Sequence, residues 1–270
     1  MEDKKGLVIA IVILSLISLG LGGFLVYDKI IQKRAEEKKE TCIEDNKIDL
    51  NAFFNISKTL DSFDKAFNNP KSLYIGYIYV DKRLMASKFD MGAAIYASMM
   101  QDITVSAPPI PFYVSEEKVK GNFEKIFGKN LEYKATNVQS GEIYKVSYFN
   151  FETNPPVRYD YYAPSEENPY ADRYIAINNE TSIEEGKVIV NRKIFFAEFV
   201  KGADGVSYTG MKIYKDHSKV GYIGQVPLKN GVYSEKEVIE KNGSKLLTYD
   251  YTFVQNKDAD YSFYSIEAVK

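Results

Sequence analysis

Residues 6–27 read GLVIAIVILSLISLGLGGFLVY, an uncharged run between Lys4-Lys5 and Asp28-Lys29. At about 1.5 Å per residue a helix of this length extends ~33 Å, enough to cross a hydrocarbon core of about 30 Å. The run exceeds the apolar core of an export signal, which is about 7–15 residues long. Gly20-Leu21-Gly22 has the small residues a cleavage site needs, but apolar character continues beyond it through Gly23, Phe24, Leu25, Val26 and Tyr27. Cys42 lies too far downstream to serve as a lipid-attachment cysteine. A retained transmembrane anchor in contact with the bilayer is therefore expected over 6–27, with Tyr27 at the interface. A cleaved signal and a soluble core helix are the weaker readings.

Orientation rests on two opposed arguments. Lys29, Lys33, Arg34, Lys38 and Lys39 follow the run, against Lys4 and Lys5 before it, and the positive-inside rule then places the following domain in the cytosol. Long C-terminal domains, however, translocate largely regardless of flanking charge. The downstream basic residues also alternate with Asp28, Glu36, Glu37 and Glu40, as on a salt-bridged exposed helix. An extracytoplasmic domain is the expectation. Ser18 and Gly22 form one small-x-x-x-small pair that suits helix pairing, yet small residues are common in membrane helices, so oligomeric state is left open.

The chain divides into a tail (1–5), the anchor (6–27), a charged stalk (28–47) and a domain (48–270), with a boundary near 152–172 if that domain is two. Hydrophobic residues make up 45% of the sequence and charged residues 27%, a balance that supports a real core. A net charge of −2 offers no bulk attraction to nucleic acid. One cysteine and one histidine exclude an internal disulfide and a Cys/His zinc cluster.

Within the domain, Phe53, Ile56, Leu60, Phe63 and Phe67 recur at helical spacing, and Asn68-Asn69-Pro70 ends that helix. Leu73–Val80 reads as a buried strand. The Ala/Met-rich stretch from Phe89 to Thr104 reads as a second helix whose Met91, Met99 and Met100 fill core. Pro108 to Pro111 marks an extended loop. Ser115 caps a third helix presenting Val119, Phe123, Ile126 and Phe127, which Gly128 closes.

Strands are expected at 131–136, 142–151, 172–177, 187–200 and 206–216, then a short helical turn after Ser234 and a closing hairpin. Leu247, Tyr249, Tyr251 and Phe253 alternate onto one face of that hairpin. Helices early and hairpin-connected strands late argue α+β, with helices packed on a curved antiparallel sheet.

Few motifs carry chemistry. His217 sits in YKDHSKVG, a polar turn, and reads as a turn residue rather than a general base. Asn256, Asp258, Asp260 and Glu267 match positions of a calcium loop, but Tyr261 stands where the tight turn needs glycine, so a hairpin explains them better. Residues 159–174, YDYYAPSEENPYADRY, concentrate Tyr159, Tyr161, Tyr162, Tyr170 and Tyr174 among prolines and acids. Tyrosine gives large contact area at low entropic cost, so these five are the candidate binding residues for a protein or glycan partner. Glu166, Glu167 and Asp172 in the same segment are the carboxylates a catalytic reading would use. Sequons at Asn55, Asn179 and Asn242 matter only in a secretory lumen.

The segments GGFLVYDK, FEKIFGKNLEY and TYDYTFVQNKDADYSFYSIEAVK resemble a group of single-pass, membrane-anchored proteins of low-GC Gram-positive bacteria. The resemblance implies an envelope address and carries over no site residue. The expected helix-plus-sheet arrangement is similar to cystatin-like or NTF2-like folds, which bears on fold alone. Together these readings lead to an expectation of a tethered, non-catalytic binding or scaffolding module with no cofactor, metal or nucleic acid. An envelope enzyme using carboxylates on glycans and a cytosol-facing domain are the alternatives.

Overall fold

Strand β7 (Lys187–Lys201) organises the domain, because its two faces serve two cores. Val188, Val190, Ile194 and Phe196 point into one apolar cluster, while Phe195 and Ala197 point into another. A strand covered on both faces loses the simple apolar–polar alternation of a half-exposed one. In this computed structural model residues 50–68, 74–77, 80–102, 112–136, 138–139, 145–149, 158–162, 171–184, 186–256 and 260–269 are described. All belong to one unit, 48–270. The expected anchor and stalk lie outside them, and among the described residues no helix is long and apolar enough to cross a membrane.

The domain is α+β. Helices α1 (Leu50–Phe67), α2 (Met91–Met100) and α3 (Glu116–Phe127) precede most of the strands, and α4 (Glu235–Asn242) comes late. One antiparallel sheet runs β1 (Arg83–Met85), β11 (Tyr261–Val269), β10 (Leu247–Gln255), β7, β8 (Tyr208–Tyr214), β9 (Tyr222–Pro227), with β6 (Arg173–Glu184) also paired to β7. A second sheet runs β2 (Phe112–Ser115), β5 (Arg158–Tyr162), β4 (Lys145–Phe149), β3 (Val138–Gln139). Register shifts at Asn178/Glu180, Val200/Lys201, Ile213/Tyr214 and Thr252/Phe253 mark bulges, which bend and twist strands and curve the large sheet.

Helix α1 buries Ile56, Leu60, Phe63 and Phe67 of the stripe its spacing anticipates, with Phe53 half-buried. Phe63 meets Phe263 of β11 edge-on at 4.9 Å, joining the helix layer to the sheet. Helix α2 is buried from Gly92 to Met100, as a helix apolar on all sides must be. Asp90 accepts from the Ala93 N–H at 3.1 Å and caps its start. Ser115 caps α3 by accepting from Lys118 N, and Gly128 ends it at φ +50°. A side chain there would meet Ser262 Oγ, so glycine is required twice over. On the opposite sheet face α4 covers Ile175, Phe195, Met211, Ile213 and Val226 with Val238.

Two expected strands are replaced. Ile75–Tyr77 form a 3-10 turn closed by the Tyr77 N–H on Tyr74 O at 3.0 Å. Tyr77 stacks on Phe67 at 5.2 Å and meets Phe89 at 4.5 Å, so the turn packs its ring against α1 and the segment before α2. Leu131–Thr136 has no regular structure, and Tyr133 instead sets its ring edge-on to Phe123 and its hydroxyl on Glu116. Strand pairing there begins only at Val138.

One charge crosses the helix–sheet interface. Arg192 occupies a core-facing position of β7 and is 2% exposed. Its Nη1 and Nη2 donate to the two carboxylate oxygens of Asp64 on α1 at 3.0 and 2.6 Å, and Nε donates to Asn178 Oδ1 at 2.9 Å. The guanidinium also lies 5.2 Å from the ring centre of Tyr251. A buried charge is tolerated only when paired and hydrogen-bonded in this way.

Candidate functional site

Of the five candidate tyrosines, Tyr174 is buried. Tyr174 lies on β6, 1% exposed, with its ring edge-on to Phe196 at 5.1 Å. Tyr159, Tyr161 and Tyr162 belong to β5, a central strand of the smaller sheet. By register Tyr161 pairs with Phe112 and Val146, and Tyr159 with Val114 and Tyr148. Val146 in turn pairs with Val138. Val114 on β2 and Val138 on β3 are buried. Tyr170, Glu166 and Glu167 lie outside the described residues.

Tyr174 instead meets His217. The Tyr174 hydroxyl is 2.8 Å from His217 Nδ1 and accepts the His217 backbone N–H at 2.9 Å. Beside this pair, Lys219 takes a left-handed backbone conformation at φ 59°. It donates from Nζ to Asp172 at 2.8 Å and Glu198 at 3.0 Å. Glu198 also accepts from the Tyr214 hydroxyl at 2.8 Å. The Tyr214 and then the Lys219 hydrogen bonds hold the Glu198 carboxyl below its usual range. Asp172, a candidate carboxylate in the sequence, is thus engaged in fastening the β8–β9 turn to β6 and β7.

The calcium-like quartet resolves as a hairpin. Asn256 N–H donates to Asp260 O at 2.7 Å, while Glu267 sits on β11 opposite Arg83. Asp258 lies outside the described residues. No cluster of three His, Cys, Asp or Glu gathers among the described residues. Of the sequon asparagines, Asn242 is buried, whereas Asn179 stands exposed in the β6 bulge.

A polar cleft of about 270 Å³ opens where α1, the C-terminal end of α2 and α3 converge. Lys58 and Asn55 line it from α1, Gln101 and Asp102 from the end of α2, and Lys118 and Lys125 from α3. Asn122 forms part of the floor, donating to Ser98 O at 3.0 Å and Asp102 Oδ2 at 2.5 Å. Lys118 pairs with Asp102 at 3.1 Å. Lys58 lies over the Phe54 ring at 4.6 Å, and neither Lys58 nor Lys125 is paired with a carboxylate among the described residues. Gly121, between Lys118 and Lys125 on α3, would give an added Cβ nothing within 4 Å.

The sequence showed this cleft only as fragments. Lys118, Gly121 and Lys125 stand three and then four residues apart, one face of a helix. Their juxtaposition with Lys58 depends on packing between helices that are distant in the chain. No family model matches this chain, and no curated protein or solved structure is significantly similar to it.

Proposed function

We propose that the chain is a membrane-tethered binding module. Residues 6–27 cross the bilayer, 28–47 space the domain from it, and 48–270 form an extracytoplasmic domain that holds a protein or glycan partner without turning it over. The observation that carries this reading is the twenty-two-residue apolar run. It is long enough to span, is uninterrupted by charge and stands ahead of a domain with its own core.

The helix-bounded cleft supports binding, because it is a polar concavity built from three helices among the described residues. The Tyr-rich segment contributes through Tyr159, Tyr161, Tyr162 and Tyr170. The arrangement of helices on a curved sheet keeps the cystatin-like or NTF2-like character as part of this proposal. The five basic residues after the run favour a cytosol-facing domain, which is the competing reading.

Membrane fractionation tests the tether. The full chain is expected to remain in the membrane pellet through an alkaline carbonate wash, and a variant lacking 6–27 to leave it. Release of the full chain by that wash would remove the anchor from the account.

A further inference from the structure

We infer that the cleft between α1, α2 and α3 binds a small phosphorylated polyol or the repeating unit of a polymer of that kind. The inference deepens the binding-module reading but does not depend on the membrane address. Three ammonium groups, on Lys58, Lys118 and Lys125, surround a lining whose one carboxylate is Asp102. A second carboxylate, Asp260, stands at the rim and accepts from Asn55 Nδ2 at 3.2 Å. Inside the cleft the balance is positive, in a chain whose net charge is −2. This local excess therefore belongs to the site rather than to general composition.

Asp102 also does not cancel the lysines evenly. One of its oxygens takes the Lys118 ammonium and the other the Asn122 amide, so its capacity is largely used within the wall. Lys58 and Lys125 approach from opposite helices and keep their charge for a ligand. Ammonium groups act as mobile point charges toward phosphate. The amides of Asn55 and Gln101 and the hydroxyl of Thr59 offer donors and acceptors together, which suits hydroxyl groups on the ligand body.

Gly121 supplies an independent argument. Glycine inside a helix is unfavourable relative to alanine, so a packing or access reason is expected. No neighbour crowds this position, since a Cβ would find nothing within 4 Å. What its missing side chain preserves is open space within the cleft lining, between the turns that carry Lys118 and Lys125. A side chain would occupy that space.

Calorimetric titration of the full chain in detergent micelles tests the inference, with glycerol phosphate, inorganic phosphate and glycerol as separate probes. Saturable binding of glycerol phosphate is expected, with weaker binding of inorganic phosphate and none of glycerol. Lys58→Gln with Lys125→Gln should weaken glycerol phosphate about tenfold or more. Gly121→Leu should abolish binding without lowering the thermal unfolding midpoint, because a Cβ there has nothing within 4 Å and leucine favours the helix over glycine. Binding of inorganic phosphate as tight as that of glycerol phosphate would overturn the polyol part. Absence of saturable binding, or binding unchanged by both variants, would overturn the site. Either result leaves the carbonate-wash outcome standing, so failure of the ligand class is distinguishable from failure of the tether.

Discussion

Asp64 and Arg192 lie 128 residues apart in the chain and meet in a two-pronged ion pair at 3.0 and 2.6 Å. The pair joins α1 to the centre of the large sheet. The Arg192 side chain is 3% exposed and that of Asp64 28%, so solvent reaches the carboxylate and hardly touches the cation. Removing the carboxylate leaves a buried charge without its main partner. Asp64→Ala is expected to cost roughly 3 kcal/mol in urea unfolding, at the low end for a broken buried pair because Asp64 is partly exposed. Replacing both residues together, with Leu at 64 and Met at 192, should cost less than Asp64→Ala alone.

Tyr251 packs against that guanidinium. Burial raises its phenol to about 12, outweighing the opposing effect of Arg192. A folded-state pKa above the unfolded value of 10.0 gives stability that is complete below pH 10 and lost as pH rises toward 12. The folded fraction, followed by circular dichroism, should therefore fall across that window. Tyr251→Phe should make the alkaline decline shallower, despite a modest loss of stability at neutral pH.

Glu198 gives the opposite sign. Its folded pKa is lowered, first by the Tyr214 hydrogen bond and then by Lys219, so its contribution is present above the unfolded value of 4.5 and lost as pH falls through the lowered one. Carbon-detected NMR titration should show Glu198 ionising at lower pH than an unperturbed glutamate. Tyr214→Phe should move that midpoint upward.

Gly121 within α3 and Gly128 at its end should respond in opposite directions. Gly121→Ala meets open space and exchanges a poor helix former for the best one, so a gain of about 0.5–1 kcal/mol is expected. Gly128→Ala must adopt a positive φ and push Ser262 aside, and should cost about 2 kcal/mol or more. Thermal unfolding of the two variants reads both.

Much of this architecture was legible from periodicity. The stripe of α1, the Ser115 and Gly128 boundaries of α3, and the Leu247-Tyr249-Tyr251-Phe253 face of β10 all follow local rules, and each is found. Residues 75–77 misled because aromatic and β-branched content suits packing on a helix as well as a strand, and Phe67 and Phe89 hold the Tyr77 ring in a 3-10 turn. Arg192 could have been noticed, since it occupies an apolar-phase position between Val190 and Ile194. Nothing local identifies Asp64 as its partner. Tyr174 fell within a polar, Tyr-rich stretch by composition, yet it begins the buried part of β6, where strand alternation governs. The lysine cleft is tertiary in origin, as are the links of His217 to Tyr174 and Lys219 to Asp172.

The central claim is that an anchor at 6–27 holds the domain outside the cytoplasm, and Cys42 tests it most directly because it is the one cysteine in the chain. Intact cells expressing the full chain would be treated with a membrane-impermeant maleimide, with a lysed sample as the control for reactivity. The account predicts labelling of Cys42 in intact cells to the extent reached after lysis. Labelling confined to the lysate would contradict it and place the domain in the cytosol.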